Sequence, residues 1–386
     1  MKKSVKVIAL MLVMATLTAC SSNGNSGGNS ELIIGFNFDL SGVGASYGQV
    51  ESKGAKLAVK LYNENGGFNG QDVKIKEYDG QSSEAESYRV QTKLATDDKV
   101  FGIVGSTLSG TSVSAIKASG EHKVPTISPS ATADSVTNDG KKGKVYGYRV
   151  CFSDSFQGIT MANFASNNLD VTKVAILADN SSDYAKGLTK FFTEQFTANG
   201  GTIIDTSYYV TGENDFNTVL TSIRGLNDLE AIFIPGYYEQ VGLIIRQARD
   251  LGIEVPILGV DGFESPELVK LAGADNLNEV YYSNHYSDSL ESPEHKAFVE
   301  AYKAEYNEEP NGFAALAFDA ANLMLDALDR ASEANAEKVN EAIASTKDFK
   351  AVTGTVTIDD LHNAVKAAVV IQLENGVDVE STLVNP

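Results

Sequence analysis

Two hydroxyl-rich runs flank a single helix-length stretch of this chain. Ser106 to Ser112 follows the apolar run Phe101 to Val104 and Gly105. Ser128-Pro129-Ser130-Ala131-Thr132 follows Val124 to Ile127, and Val113, Ile116 and Lys117 lie between the two runs. Hydroxyls beside the start of a helix suit an anion, because the first turn has unpaired N–H groups and a partial positive charge. The ordinary alternative is that these Ser and Thr residues only cap the helix. Further along, Tyr47, Tyr184, Tyr237 and Asp261 each stand between an apolar run and a helical pattern. A carboxylate suits an ammonium group, and aromatic rings can wall a small organic ligand. Each also has an ordinary role: Asp261 as a turn cap before Ser265, Tyr237 as a core ring with its hydroxyl bonded, Tyr184 as a loop aromatic. Together they are complementary in charge and occupy one kind of loop, which the ordinary roles do not explain.

The elements that position these residues alternate strand and helix. Strand patterns cover Leu32 to Phe38, Val73 to Tyr78, Phe101 to Val104, Val124 to Ile127 and Tyr146 to Phe152. Helical patterns cover Lys53 to Tyr62 and Ala85 to Ala95, with another opened by the hydroxyl run. This alternation predicts a parallel sheet covered on both faces, with the loops above at its carboxyl edge. Tyr146 to Phe152 reads as the crossing into a second lobe, where the alternation restarts through Val174 to Ala178, Thr202 to Val210, Ala231 to Ile234, Val255 to Leu258 and Val280 to Ser283. Val241, Ile244, Ile245, Ala248 and Leu251 form one apolar helix face. Val352 to Ile358 and Ala367 to Leu373 read as closing strands. No residue-level repeat supports a solenoid.

With 386 residues and 42% apolar content, the chain can fill two domains. A net charge of −20 argues against nucleic acid as a partner. Residues 1–19 read as a secretory signal: Lys2 and Lys3 precede the apolar run Val5 to Leu17, and Lys6 stands near its start. Leu17-Thr18-Ala19-Cys20 resembles a bacterial lipobox, which makes Cys20 the expected lipid-modified first residue. Residues 20–30 then form a flexible tether of Ser, Gly and Asn. Cys151 is the one other cysteine, so neither an intramolecular disulfide nor a Cys/His metal cluster is expected. The chain lacks P-loop and H-E-x-x-H patterns, and its four His are scattered. Gly42-Val43-Gly44 is half a dinucleotide fingerprint, but Tyr47 stands where its last Gly would be.

The segments Asp39 to Gly48 (DLSGVGASYG), Gly54 to Gly70, Ile103 to Ser114, Val124 to Thr132, Gly236 to Gly252 and Gly259 to Leu268 together resemble one family. It is that of the branched-chain amino-acid substrate-binding lipoproteins of ABC importers, of the type I periplasmic binding protein fold, and the likeness runs from about Leu32 to the C-terminus. The resemblance implies an α/β protein of two Rossmann-like lobes with parallel central sheets. Three hinge crossings would lie near Arg149, His285 and Leu361. Residues 31–149 with 286–361 would form the first lobe, and 150–285 with 362–386 the second. It implies that Ser109 holds a ligand carboxylate with backbone help from Ser130 and Thr132, and that the Thr132 hydroxyl lies near the ligand's amino and carboxylate groups. Tyr47 would cover the ligand side chain, Tyr184 and Tyr237 would close over it, and Leu108 and Ala131 would complete the lining. Asp261 falls where leucine-type binders carry Glu for the ammonium, one methylene longer. Leu108 falls where they carry Cys, so their first-lobe disulfide is absent. The implied protein is a membrane-tethered, extracytoplasmic, monomeric receptor that needs no cofactor. It would bind a small amino acid, most readily leucine, isoleucine or valine, and present it to permease subunits. Three alternatives stay open: a sensor of the same fold, a binder of another small ligand such as an amide, urea or an aromatic acid, or a secreted hydrolase, for which no nucleophile with an adjacent base is visible.

Overall fold

In Val174-Ala175-Ile176-Leu177, Val174 and Ile176 enter one core while Ala175 and Leu177 enter another. Such two-sided burial belongs to a strand covered by helices on both faces. The computed structural model describes residues 31–286 and 292–384, so the expected signal, tether and Cys20 lie outside the described residues.

The first lobe opens with β1 (Ile33–Phe38), α1 (Ala45–Glu64), β2 (Lys74–Asp79), α2 (Glu84–Thr96), β3 (Gly102–Gly105), α3 (Ser109–His122), β4 (Thr126–Ser128) and β5 (Gly147–Arg149). Its five strands are all parallel, in the order β2-β1-β3-β4-β5. The second lobe runs through α4 (Asp154–Asn167), β6 (Lys173–Asp179), α5 (Asp183–Ala198), β7 (Thr202–Tyr209), α6 (Asn217–Arg224), β8 (Ala231–Phe233), α7 (Tyr238–Asp250), β9 (Ile257–Gly259), α8 (Pro266–Ala272) and β10 (Val280–Asn284). The chain then returns to the first lobe for α9 (Pro293–Tyr306), α10 (Gly312–Ala331), α11 (Ala336–Ala344) and a small antiparallel sheet of β11 (Phe349–Ala351), β12 (Gly354–Ile358) and β13 (Ala364–Val365). It ends in the second sheet with β14 (Ala368–Glu374) and β15 (Val377–Val384), giving the order β15-β14-β10-β9-β8-β6-β7.

Three expectations need correction. The second sheet is mixed, not parallel, since β14 runs antiparallel to β10 and β15 antiparallel to β14. The chain leaves this lobe at the end of β10 and re-enters beside it, so β14 must run the opposite way. Asn375 (φ 50°) and Gly376 (φ 73°) then make a two-residue turn that only left-handed conformations allow, and send β15 straight back. The third crossing falls at Lys366–Ala367 rather than near Leu361, because Val365 still pairs with Thr357 in the small first-lobe sheet while Ala368 pairs with Val384. Finally, α1 starts at Ala45, eight residues ahead of the expected Lys53, which puts Tyr47 in its first turn.

Helices α1 and α10 cover one face of the first sheet, and small side chains let them approach closely. Ala55 and Ala58 meet Ala317, Ala320 and Ala321 in the same core. A Cβ added at Gly54 would stand 2.0 Å from the Ala314 carbonyl oxygen. We therefore expect Gly54→Ala to lower stability by about 1–3 kcal/mol, seen as an earlier urea midpoint. An unchanged midpoint would mean that the contact between these helices is looser than described.

Candidate functional site

Strand β3 ends at Gly105, whose φ of +125° and close approach to the Asn37 carbonyl oxygen (2.1 Å from a Cβ built there) admit no side chain. The chain turns here into the loop carrying Thr107, Leu108 and Ser109. The residue preceding α3 is Leu108, which offers no capping side chain. By contrast, α2, α4, α5, α8, α9, α10 and α11 each begin with a Ser or Asn whose side chain accepts a first-turn N–H. The Ser109 hydroxyl accepts the Ala133 N–H at 3.2 Å, which leaves its own proton to donate.

Buried ionisable groups beneath this wall fix it. Asp39 accepts from Leu108 N (3.1 Å) and from the Thr111 hydroxyl (2.9 Å); burial raises its carboxyl to about 6. Glu51 accepts from the Thr107 hydroxyl at 2.5 Å and from the Ser130 hydroxyl. Fully buried Arg149 donates through Nη1 to the carbonyls of Ala131 (3.3 Å), Thr132 (2.6 Å) and Ala133 (2.8 Å). In a planar trans peptide the N–H points opposite to the carbonyl. The Ala131 carbonyl on Arg149 therefore turns the Thr132 N–H to the far side.

The second lobe supplies the opposing wall. Tyr184, in the first turn of α5, and Tyr237, just ahead of α7, stack with ring centroids 4.9 Å apart and planes 3° apart. Asp261 begins a short 3-10 turn after β9. Its Oδ1 accepts from the Tyr184 hydroxyl and from Gln157 Nε2 (3.1 Å), and its Oδ2 meets His285 Nε2 at 3.1 Å. It thus belongs to the inter-lobe site and does not cap the turn before Ser265.

The two walls touch. The Tyr47 hydroxyl donates to the Gly262 carbonyl at 2.5 Å and accepts the Tyr238 N–H at 3.1 Å. Ser46 and Ser265 share a hydrogen bond of 2.7 Å, and Glu264 Oε1 accepts the Gly312 N–H at 2.9 Å. Tyr47, Thr107, Leu108, Ser109, Ser130, Thr132, Tyr184, Tyr237, Asp261, Gly262 and Phe313 enclose a cavity of about 10 Å³.

Eight of the nine expected ligand-site residues line this cavity. Ala131 does not: it packs with Ile116, Ala133 and Val136, and its N–H is used by the Ser128 hydroxyl. Sequence reasoning missed Phe313, which stacks on Tyr47 with centroids 4.4 Å apart, together with Thr107 and Gly262. It also missed the supports Glu51, Arg149 and Gln157. Cys151 is buried and free, with burial pushing its thiol up to about 12.

Two covered α/β sheets joined by three chain passages, closing on a polar cavity, define a two-lobed substrate-binding protein. The chain belongs to the periplasmic binding protein family, whose model matches residues 31–378. It is similar to the branched-chain amino acid transporter substrate binding protein LivJ of Streptococcus pneumoniae, solved in complex with isoleucine (40% identity, TM-score 0.86, covering 92% of this chain and 100% of that one). It is also similar to the leucine binding protein LivK of Thermotoga maritima (33%, TM-score 0.86, 92% and 99%). The Leu/Ile/Val-binding protein BraC3 of Rhizobium johnstonii is 28% identical over 85% of this chain and 88% of its own. The architecture is that of type I periplasmic binding proteins. No helix among the described residues is long and apolar enough to cross a membrane.

Burial raises the Glu51 carboxyl to about 8, against the opposing hydrogen bonds of Ser130 and Thr107. The folded chain therefore keeps a proton that the unfolded chain releases near the ordinary value of 4.5. Stability must then fall as pH rises between those values, by at most about 1.4 kcal/mol per unit. The melting temperature of the wild type, measured against Glu51→Gln, should decline from pH 5 to pH 8. A difference that stays constant over this range would contradict the assignment.

Proposed function

We propose that this protein is the extracytoplasmic substrate-binding component of an ABC importer. It is tethered through a lipid on Cys20, takes a small aliphatic amino acid (leucine, isoleucine or valine) between its lobes, and delivers it to a membrane permease. One observation carries this reading: the uncapped start of α3 and the Asp261 carboxylate line the same enclosed cavity. A helix start favours negative charge and a carboxylate favours positive charge, so the pair selects a zwitterion. In this reading the ligand carboxylate lies on Ser109 and the Thr132 amide and hydroxyl. Its ammonium lies on Asp261, and its side chain lies among Tyr47, Leu108, Tyr237 and Phe313. The relatives named above support the ligand class.

The cavity leaves room for little more than one water, so an amino acid enters only when the lobes or their rings part. Bonds such as Tyr47 to Gly262 then re-form over it. Closure is favoured only by the extra contacts the ligand makes in the closed state. The same closed face, with both lobes in register, is what a permease would read.

The test is a thermal-shift screen of the purified protein against the twenty amino acids, urea and short amides. The best ligand should add about 2.7 kcal/mol of stability at a hundredfold excess over its dissociation constant, and it should be one of the three branched-chain amino acids. Asp261→Asn should cost about 2 kcal/mol of binding or more. A shift given only by neutral amides or aromatic acids, and kept by Asp261→Asn, would overturn the reading.

A further inference from the structure

Asp261 does not stand alone. His285 is 4% exposed and lies on the passage that leads out of β10. Its Nε2 is 3.1 Å from Asp261 Oδ2. Its ring stacks on Phe152, with centroids 3.5 Å apart and planes 24° apart. Phe152 lies on the first passage, between β5 and α4. One ring thus joins the Asp261 carboxylate to two of the three passages between the lobes.

The chemistry of the contact fixes the direction of its hydrogen bond. An ionised carboxylate only accepts, so the imidazole must carry its proton on Nε2 and donate. Among the described residues Nδ1 has no hydrogen-bond partner, as the Nε2–H tautomer allows. Burial pulls the ring's pKa down to about 4. The neighbouring Asp261 opposes this, and Lys366 and Arg149 add to it. The ring is neutral at pH 7. Gln157 supports the other oxygen: its Nε2 donates to Asp261 Oδ1, while its Oε1 accepts from the Asp261 N–H (3.4 Å) and from the Ser283 hydroxyl (2.9 Å).

We propose that His285 is a positioning residue for Asp261: its Nε2–H aims the carboxylate at the ligand ammonium and couples that contact to the first two hinge passages. The proposal rests on the reading of the cavity as an amino-acid site. It also suggests why the shorter Asp can serve here, since a side chain with less reach gains from being held in one orientation.

Two substitutions separate the hydrogen bond from the packing. His285→Phe keeps the ring on Phe152 and removes the donor. His285→Gln removes the ring and keeps an N–H near Nε2. The probe is isoleucine, titrated calorimetrically into the purified wild type and both variants. The proposal expects His285→Phe to weaken binding about tenfold or more, His285→Gln to restore most of it, and His285→Phe to cost little further in an Asp261→Asn background. Wild-type binding with full affinity in His285→Phe, or an equal loss in both variants, overturns the proposal and leaves the amino-acid reading standing. A wild type that binds none of the three branched-chain amino acids overturns both. Nitrogen NMR of the wild-type ring decides the matter if a variant fails to fold: the Nε2–H tautomer supports the proposal, and the Nδ1–H tautomer overturns it.

Discussion

Leaving a helix start and a carboxylate inside a closed cleft is costly unless something of opposite charge meets them. In this protein the two stand on different lobes. Most helices of the chain close their own first turn with a Ser or Asn, whereas α3 begins after Leu108 and α7 after Tyr237, without a capping side chain. Part of the α7 deficit is met from across the cleft, where the Tyr47 hydroxyl accepts the Tyr238 N–H. The lobes therefore complete each other's polar groups only when they are together. In the proposed function, the remaining groups around the cavity do the same for a zwitterion.

That arrangement demands rigid supports, and the chain builds them from buried ionisable groups. Asp39 and Glu51 hold the loop ahead of α3, and Arg149 gathers three carbonyls of the loop after β4. At the third passage, Lys366 is buried and bonded to the Thr353 hydroxyl, while Asp319 accepts the Val352 and Thr353 N–H groups. Burial lowers Lys366 to about 8 and raises Asp319. Asp39, Arg149 and Lys366 lie at or beside strand ends, while Glu51 and Asp319 reach the loops from within α1 and α10.

Much of this was legible in the sequence. The alternation of strand and helix, the hydroxyl runs around α3, the three tyrosines and Asp261 all stand where local patterns put them, because a parallel sheet sends every βα loop to one edge. What was not legible depends on contacts distant along the chain. Gln157 meets Asp261 across 104 residues, and Ser130 meets Glu51 across 79. Phe313 reaches the cavity only because the chain returns to the first lobe for α10. No local pattern announces such pairings. The turn at Asn375-Gly376 is a different case: its Asn-Gly pair is an ordinary local hairpin signal that the sequence reading did not use.

A crystal structure of the complex with isoleucine tests the orientation of the ligand most directly. The ligand carboxylate should lie at the start of α3 on Ser109 and Thr132, the ammonium on Asp261, and the aliphatic chain against Tyr47 and Phe313. A ligand lying the other way round, or bound outside the cleft, would contradict this reading.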